Sequence, residues 1–118
     1  MELMREAGFH PLEIFQSASL KGAEVLGVDD KLGTIEIGKL ADMVIVDANP
    51  MAYLKVLFGT GAILVNEDNE VTRHGGVVYT IKDGIVFDAK ALLKDVAKMV
   101  KVAKENEGTD INQPGLDY

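Results

Sequence analysis

Apolar residues recur at helical spacing first, then at strand spacing, then at helical spacing again. Leu12, Phe15, Ala18, Gly22 and Val25 fall three or four apart, with Ile14 and Leu26 flanking, which predicts an amphipathic helix from Pro11 to about Leu26. Pro11 stands at its first position and Gly27 just past its end, where each is favoured. Gly22 costs a helix interior roughly 1 kcal/mol relative to Ala, which predicts a close neighbour there. Before it, Glu2 to Ala7 forms a shorter helical piece closed by Gly8 and in need of packing partners.

In the strand region Ile35 and Ile37 alternate with Thr34 and Glu36, predicting a strand with one wet face. After a Gly38-Lys39 turn come four consecutive apolar residues, Met43 to Val46, which predict a strand covered on both faces and the centre of the core. Burying them is worth on the order of 6–12 kcal/mol before ordering entropy. Asn49-Pro50 opens a short helix through about Leu57, ended by Gly59 and Gly61. Ala62 to Val65 and Val71 to Thr72 flank an acidic turn as a loose hairpin. Val77 to Lys82 and Ile85 to Asp88 enclose Asp83-Gly84, which suits a type I′ turn and sets Lys82 opposite Ile85. Asp88 caps a long helix, Ala89 to about Glu107, with Leu92, Leu93, Val96, Val100 and Ala103 as its buried stripe and Lys90, Lys94, Lys98 and Lys101 outside. From Gly108 the chain reads as a flexible polar tail. The fold class is α+β.

Length and composition narrow the function more than the fold. The 118 residues make one domain or a piece of one, and no internal repeat is present. A net charge of −7 argues against nucleic acid and anionic membranes as partners. The absence of cysteine removes disulfides and thiolate metal sites. No stretch approaches a membrane helix, and Met1 onward lacks a basic region followed by an apolar run; the expected location is cytoplasmic, with any signal peptide of a complete enzyme expected upstream.

Candidate chemistry is sparse. Gly33, Gly38 and Lys39 match the first positions of a phosphate-binding loop, but a strand pattern lies between the glycines, Leu40 replaces the hydroxyl residue, and another strand follows. His10 and His74 have no neighbour at metal-ligand spacing. Glu67, Asp68 and Glu70 lack the glycine and terminal glutamate of a calcium loop and read as a solvated turn. No serine sits on a nucleophile elbow. A stand-alone ligand-binding domain has no polar constellation to recommend it. Lys39 and Asp42 read as residues that hold the turn into the strand, with Asp42 accepting backbone amides.

Three motifs nevertheless resemble the C-terminal part of a metal-dependent amidohydrolase of the imidazolonepropionase and dipeptidase type. They are HPLEIFQSASLKGAEVLG at 10–27, GTIEIGKLADMVIVDANP at 33–50, and VVYTIKDGIVFDAKALLKDVAKMV at 77–100. The second is the specific one. In the first, Ser19 stands where the family has Thr and Lys21 where it has Asn. The resemblance implies that residues 1–27 are the last helices of a (β/α)₈ barrel, 28–107 the C-terminal part of a composite β-sandwich closed by the final helix, and 108–118 a tail. It also implies a complete enzyme that uses zinc or another divalent metal to hydrolyse amide-like C–N bonds, its ligands lying upstream of Met1. No position here matches a ligand, and Gly108-Thr109-Asp110 stands on the wrong side of the last helix to be carried over. The expectation is therefore no catalytic, cofactor-binding or metal residue in this chain, no activity by itself, and a partner that is a second copy or the N-terminal part of the enzyme. The alternative is a non-catalytic, self-associating β-sandwich module with unpaired edges.

Overall fold

The computed structural model describes residues 1–108. Helix α1 is Glu2–Glu6, and Arg5 Nη1 ties it to the Ala52 carbonyl at 3.0 Å. The predicted Pro11–Leu26 helix is present but changes pitch, running as α2 (Pro11–Gln16), a π-helical turn (Ser17–Lys21) and α3 (Gly22–Leu26). Ser19 Oγ donates to the Phe15 carbonyl at 2.7 Å, taking the acceptor an α-turn would give to the backbone. The wider turn rotates the face that is buried. Ile14 and Ala23 are inside, whereas Leu12 and Val25 of the predicted stripe are exposed, Val25 to 86%. Gly22 has no close neighbour, the nearest atom to a Cβ there being Ser17 O at 3.9 Å. The close approach falls instead on Gly33, where a Cβ would lie 2.9 Å from both Ala23 Cβ and Leu20 Cα.

A three-stranded antiparallel sheet has the order β1 (Met43–Val46), β4 (Val77–Lys82), β5 (Ile85–Asp88). The β4–β5 hairpin forms in the predicted register, Lys82 opposite Ile85 and Ile81 opposite Val86. Asp83 and Gly84 take the positive φ angles of the turn, 51° and 78°. Strands β2 (Ala62–Val65) and β3 (Val71–His74) pair fully in a separate two-stranded sheet, two residues longer in β3 than the sequence suggests. Helix α4 (Ala89–Glu107) begins where Asp88 Oδ1 accepts the Ala91 amide at 2.9 Å, and it packs against β4 and β5.

The core lies elsewhere than the apolar runs predict. Its members are Ile14, Ala23, Ala62, and Leu54 and Val56 of a 3₁₀ turn, Leu54–Leu57, where the sequence suggests the end of an α-helix. Asn49 caps only a single turn, accepting the Met51 amide at 3.0 Å. The β2–β3 end and the chain entering β4 cross over this turn at glycines. Gly76 N donates to Val56 O at 3.0 Å, and a Cβ on Gly75 would lie 2.6 Å from Val56 Cβ.

Strand β1, by contrast, is an edge. Val44 is 54% and Ile45 44% exposed, because β4 takes one side of β1 and nothing among the described residues takes the other or covers both faces. Residues 34–37 are a loop, since no strand lies beside them to pair with, and their bonds are those of turns. Lys39 N donates to Glu36 O, Leu40 N to Lys31 O, and Ile37 is fully exposed. Along α4 only Leu93 of the large apolar residues in the predicted stripe is half-buried, while Leu92, Val96 and Val100 are exposed. The radius of gyration, 17.4 Å, exceeds the roughly 13–14 Å of a compact chain of this length.

Candidate functional site

The segment from Gly33 to Asp47 carries the most distinctive residues, and the structure uses each of them internally. Lys39 Nζ donates to Asp29 O at 2.7 Å and to Thr34 Oγ1 at 2.6 Å, and stands 3.7 Å from Glu36 Oε1. Thr34 in turn donates to Glu36 Oε1. The Thr34 hydroxyl, with Lys39 beside it, holds the Glu36 carboxyl below the usual range. Only 14% of the Lys39 side chain is exposed, so its charge is committed to the loop rather than offered to a phosphate. Strand β1 follows, not a helix, and the phosphate-loop pattern has no anion-binding geometry.

Asp42 does accept a backbone amide, as its place before the strand predicts, but the donor is 41 residues away. Its Oδ1 accepts the Asp83 amide at 2.7 Å, and its Oδ2 accepts Lys82 Nζ at 2.6 Å. Next to it, Ala41 O accepts the Gly84 amide at 3.1 Å. Two residues of the β1 approach therefore grip three residues of the β4–β5 turn. The Asp83 amide first, and the Lys82 ammonium second, hold the Asp42 carboxyl below its ordinary range, while Asp42 raises Lys82. At the other end of β1, Asp47 Oδ2 pairs with Lys90 Nζ of α4 at 2.6 Å. Sequence reading located the acceptor Asp42 but not its partners, because nothing local links position 42 to position 83.

The remaining candidates stay apart. His10 is the N-cap of α2, its Nδ1 accepting the Leu12 amide at 3.3 Å while Glu13 Oε2 accepts the His10 amide at 2.8 Å. His74 is exposed at the end of β3. In the acidic turn Asn66 Oδ1 accepts the Asp68 and Glu70 amides at 3.0 and 2.8 Å, which organises the turn. Arg73, whose Nη1 donates to Thr60 Oγ1 at 2.6 Å, has a buried Nε with no partner among the described residues. Among those residues no three His, Cys, Asp or Glu side chains are grouped to hold a metal ion. Thr109 and Asp110, with the rest of the tail, lie outside the described residues. No helix among the described residues is long and apolar enough to cross a membrane.

Comparison with known proteins supplies what the side chains do not. A model of the Amidohydrolase family matches residues 1–86. A 5′-deoxyadenosine deaminase of Methanobrevibacter smithii is 46% identical over 102 residues, which span 79% of this chain and 22% of that protein. An imidazolonepropionase of Fusobacterium nucleatum is 35% identical over 69 residues, 58% of this chain and 16% of the relative. An N-acetylglucosamine-6-phosphate deacetylase of Caenorhabditis elegans is 48% identical over 60 residues, 50% of this chain and 14% of the relative. A crystal structure of a Xaa-Pro dipeptidase with methionine bound in its active site superposes with a TM-score of 0.54 at 34% identity, covering 72% of this chain and 17% of the dipeptidase. The chain thus spans between a seventh and a quarter of the length of these proteins.

Proposed function

This chain belongs to the amidohydrolase family, and from that premise we propose that it is the C-terminal part of a metal-dependent hydrolase of amide-like C–N bonds. In this reading residues 1–27 are the terminal helices of the (β/α)₈ barrel and residues 28–107 the C-terminal share of a composite β-sandwich with its closing helix. The observation that carries it is the family match across residues 1–86, which takes in the Gly33–Asp47 segment. The exposed apolar residues of β1, β2 and α4 are then surfaces that the remainder of the enzyme covers. A zinc or other divalent ion would, in this reading, be held by residues outside this chain and would supply the activation of water. The residues present here do not enter that chemistry. They fix the sandwich on which the barrel rests, Lys39 within its loop and Asp42 across the sheet.

The names of the matched proteins do not favour the alternative of a non-catalytic, self-associating module. The test is reconstitution. The 118-residue chain, assayed with zinc or manganese against Xaa-Pro dipeptides, an imidazolone, 5′-deoxyadenosine and an N-acetylated amino sugar, is expected to be inactive. Joined in frame to an amidohydrolase barrel that lacks its own C-terminal segment, it is expected to restore turnover. Metal-dependent turnover by the chain alone, or a joined protein that folds and carries metal but turns nothing over, contradicts the reading.

A further inference from the structure

We infer that Asp83-Gly84 is a site of succinimide formation and isoaspartate ageing that the Ala41–Asp42 segment holds closed. The sequence supplies the chemistry. An aspartate followed by glycine has no side chain to obstruct attack by the following amide nitrogen on its own carboxyl carbon. The Gly84 nitrogen would bond to Asp83 Cγ, losing its proton as the carboxyl oxygen leaves in water. A second water would then open the five-membered imide at either carbonyl, and opening at the Cα carbonyl carries the main chain through the side-chain carbon. No other reactant is needed, and the first water lost is balanced by the second gained.

The structure supplies the accessibility and the restraint. The Asp83 side chain is 58% exposed and only loosely paired, 3.5 Å from Lys82 Nζ. Its own amide is held by Asp42 Oδ1 at 2.7 Å, and the attacking group, the Gly84 N–H, is held by Ala41 O at 3.1 Å. Attack requires the Gly84 nitrogen to leave Ala41 and, by rotation about the Cα–C and Cα–Cβ bonds of Asp83, to turn toward Cγ. The Gly84 bond must therefore open first, the Asp42 bonds to Asp83 and Lys82 hold the Ala41 carbonyl against the turn, and the rate follows the population of the open state. Once formed, isoaspartate adds a methylene to a two-residue turn and destroys the pairing of Lys82 with Ile85. Asp42 thereby protects the turn chemically as well as holding it, and this does not depend on the catalytic reading.

The experiment incubates the full chain, and separately a peptide of residues 78–88, at neutral pH and 37 °C. Isoaspartate at position 83 is read by peptide mapping and by methyl transfer from labelled S-adenosylmethionine with an isoaspartyl methyltransferase. The folded chain is expected to accumulate it roughly tenfold more slowly than the peptide, a ratio set by the opening equilibrium. Asp42→Ala, with a circular dichroism spectrum that shows it folded, is expected to move toward the peptide's rate. Should Asp42→Ala not fold, Asp42→Asn, which keeps an acceptor for the Asp83 amide but loses the ion pair, is expected to fall between. Equal rates in chain and peptide, or a folded Asp42 variant that ages at the wild-type rate, overturns the inference.

Discussion

Two short apolar segments stand eight residues apart and exchange the roles their patterns suggest. Met43 to Val46 is an unbroken apolar run and reads as a core strand, yet it forms an edge with Val44 and Ile45 about half exposed. Leu54 to Leu57 is interrupted by a lysine and reads as the end of a short helix, with nothing to mark it as core, yet Leu54 and Val56 are buried at 2% and 0% exposure. The run reports how much cover a segment requires, and the chain around it decides whether that cover is present. For Leu54 and Val56 the cover is supplied within the described residues, where the chain passes over the 3₁₀ turn at Gly75 and Gly76. For β1, whose Met43 and Val46 are half-buried, the second neighbour and the rest of its cover await residues outside this chain, in the reading given above.

The contrast can be broken most severely at Gly75. Its φ of 72° and the 2.6 Å approach of Val56 Cβ leave no room for a side chain, so Gly75→Ala is expected to cost about 2–5 kcal/mol by chemical denaturation. Gly38 also has positive φ, at 95°, but nothing within 4 Å of a Cβ, so Gly38→Ala is expected to cost only about 1–2 kcal/mol. Equal losses at the two would mean that backbone strain, not the packing of the 3₁₀ turn, dominates at Gly75. Next come the apolar residues themselves. Leu54→Ala is expected to cost about 2–4 kcal/mol and Val44→Ala under about 1 kcal/mol in the isolated chain. A Val44 effect as large as that of Leu54 would show that β1 is covered in solution.

Asp42 is expected to have a smaller but pH-dependent effect. Asp42→Ala should lower the melting midpoint by roughly 4–8 °C at neutral pH through the lost Asp83 and Lys82 bonds. Its folded carboxyl titrates below the unfolded one, so its contribution is present above the unfolded pKa and is lost as pH falls through the folded value. The gap between wild type and Asp42→Ala should therefore close below about pH 4. A gap that persists undiminished at pH 2 would assign the loss to packing instead. The smallest effect is expected at the exposed pair of Lys98 and Asp95, 3.3 Å apart, where Lys98→Ala should change stability by no more than about 0.5 kcal/mol.

What could be read from the sequence follows the same division between local and distant causes. The β4–β5 hairpin and its register, the Asp88 cap and the Pro11 and Gly27 boundaries are set by residues within a few positions of one another, and each appears where the pattern puts it. The π turn at Ser17–Lys21, the grip of Asp42 on Asp83 and the burial of Val56 under Gly75 depend on one hydroxyl or on contacts across the chain, and the pattern carries no sign of them. The same holds for Ile35 and Ile37, whose alternation has no neighbouring strand to pair with. No pattern marks a catalytic residue in the chain, and the described residues bring no set of metal ligands together. The family was legible all the same, because the Gly33–Asp47 segment resembles it, and the family match takes in that segment, whose lysine and aspartate bond within the scaffold.

Amide hydrogen exchange of β1 against the 3₁₀ turn tests the claim that this chain is an unfinished core more directly than any substitution. In the isolated chain the amides of Val44 and Ile45 are expected to exchange faster than that of Val56, which donates to Tyr53 O at 3.2 Å. When the chain is joined to the rest of an amidohydrolase, β1 is expected to slow to the level of Val56 or below while Val56 itself changes little. Slow exchange in β1 of the isolated monomer, or no change on joining, would contradict the account.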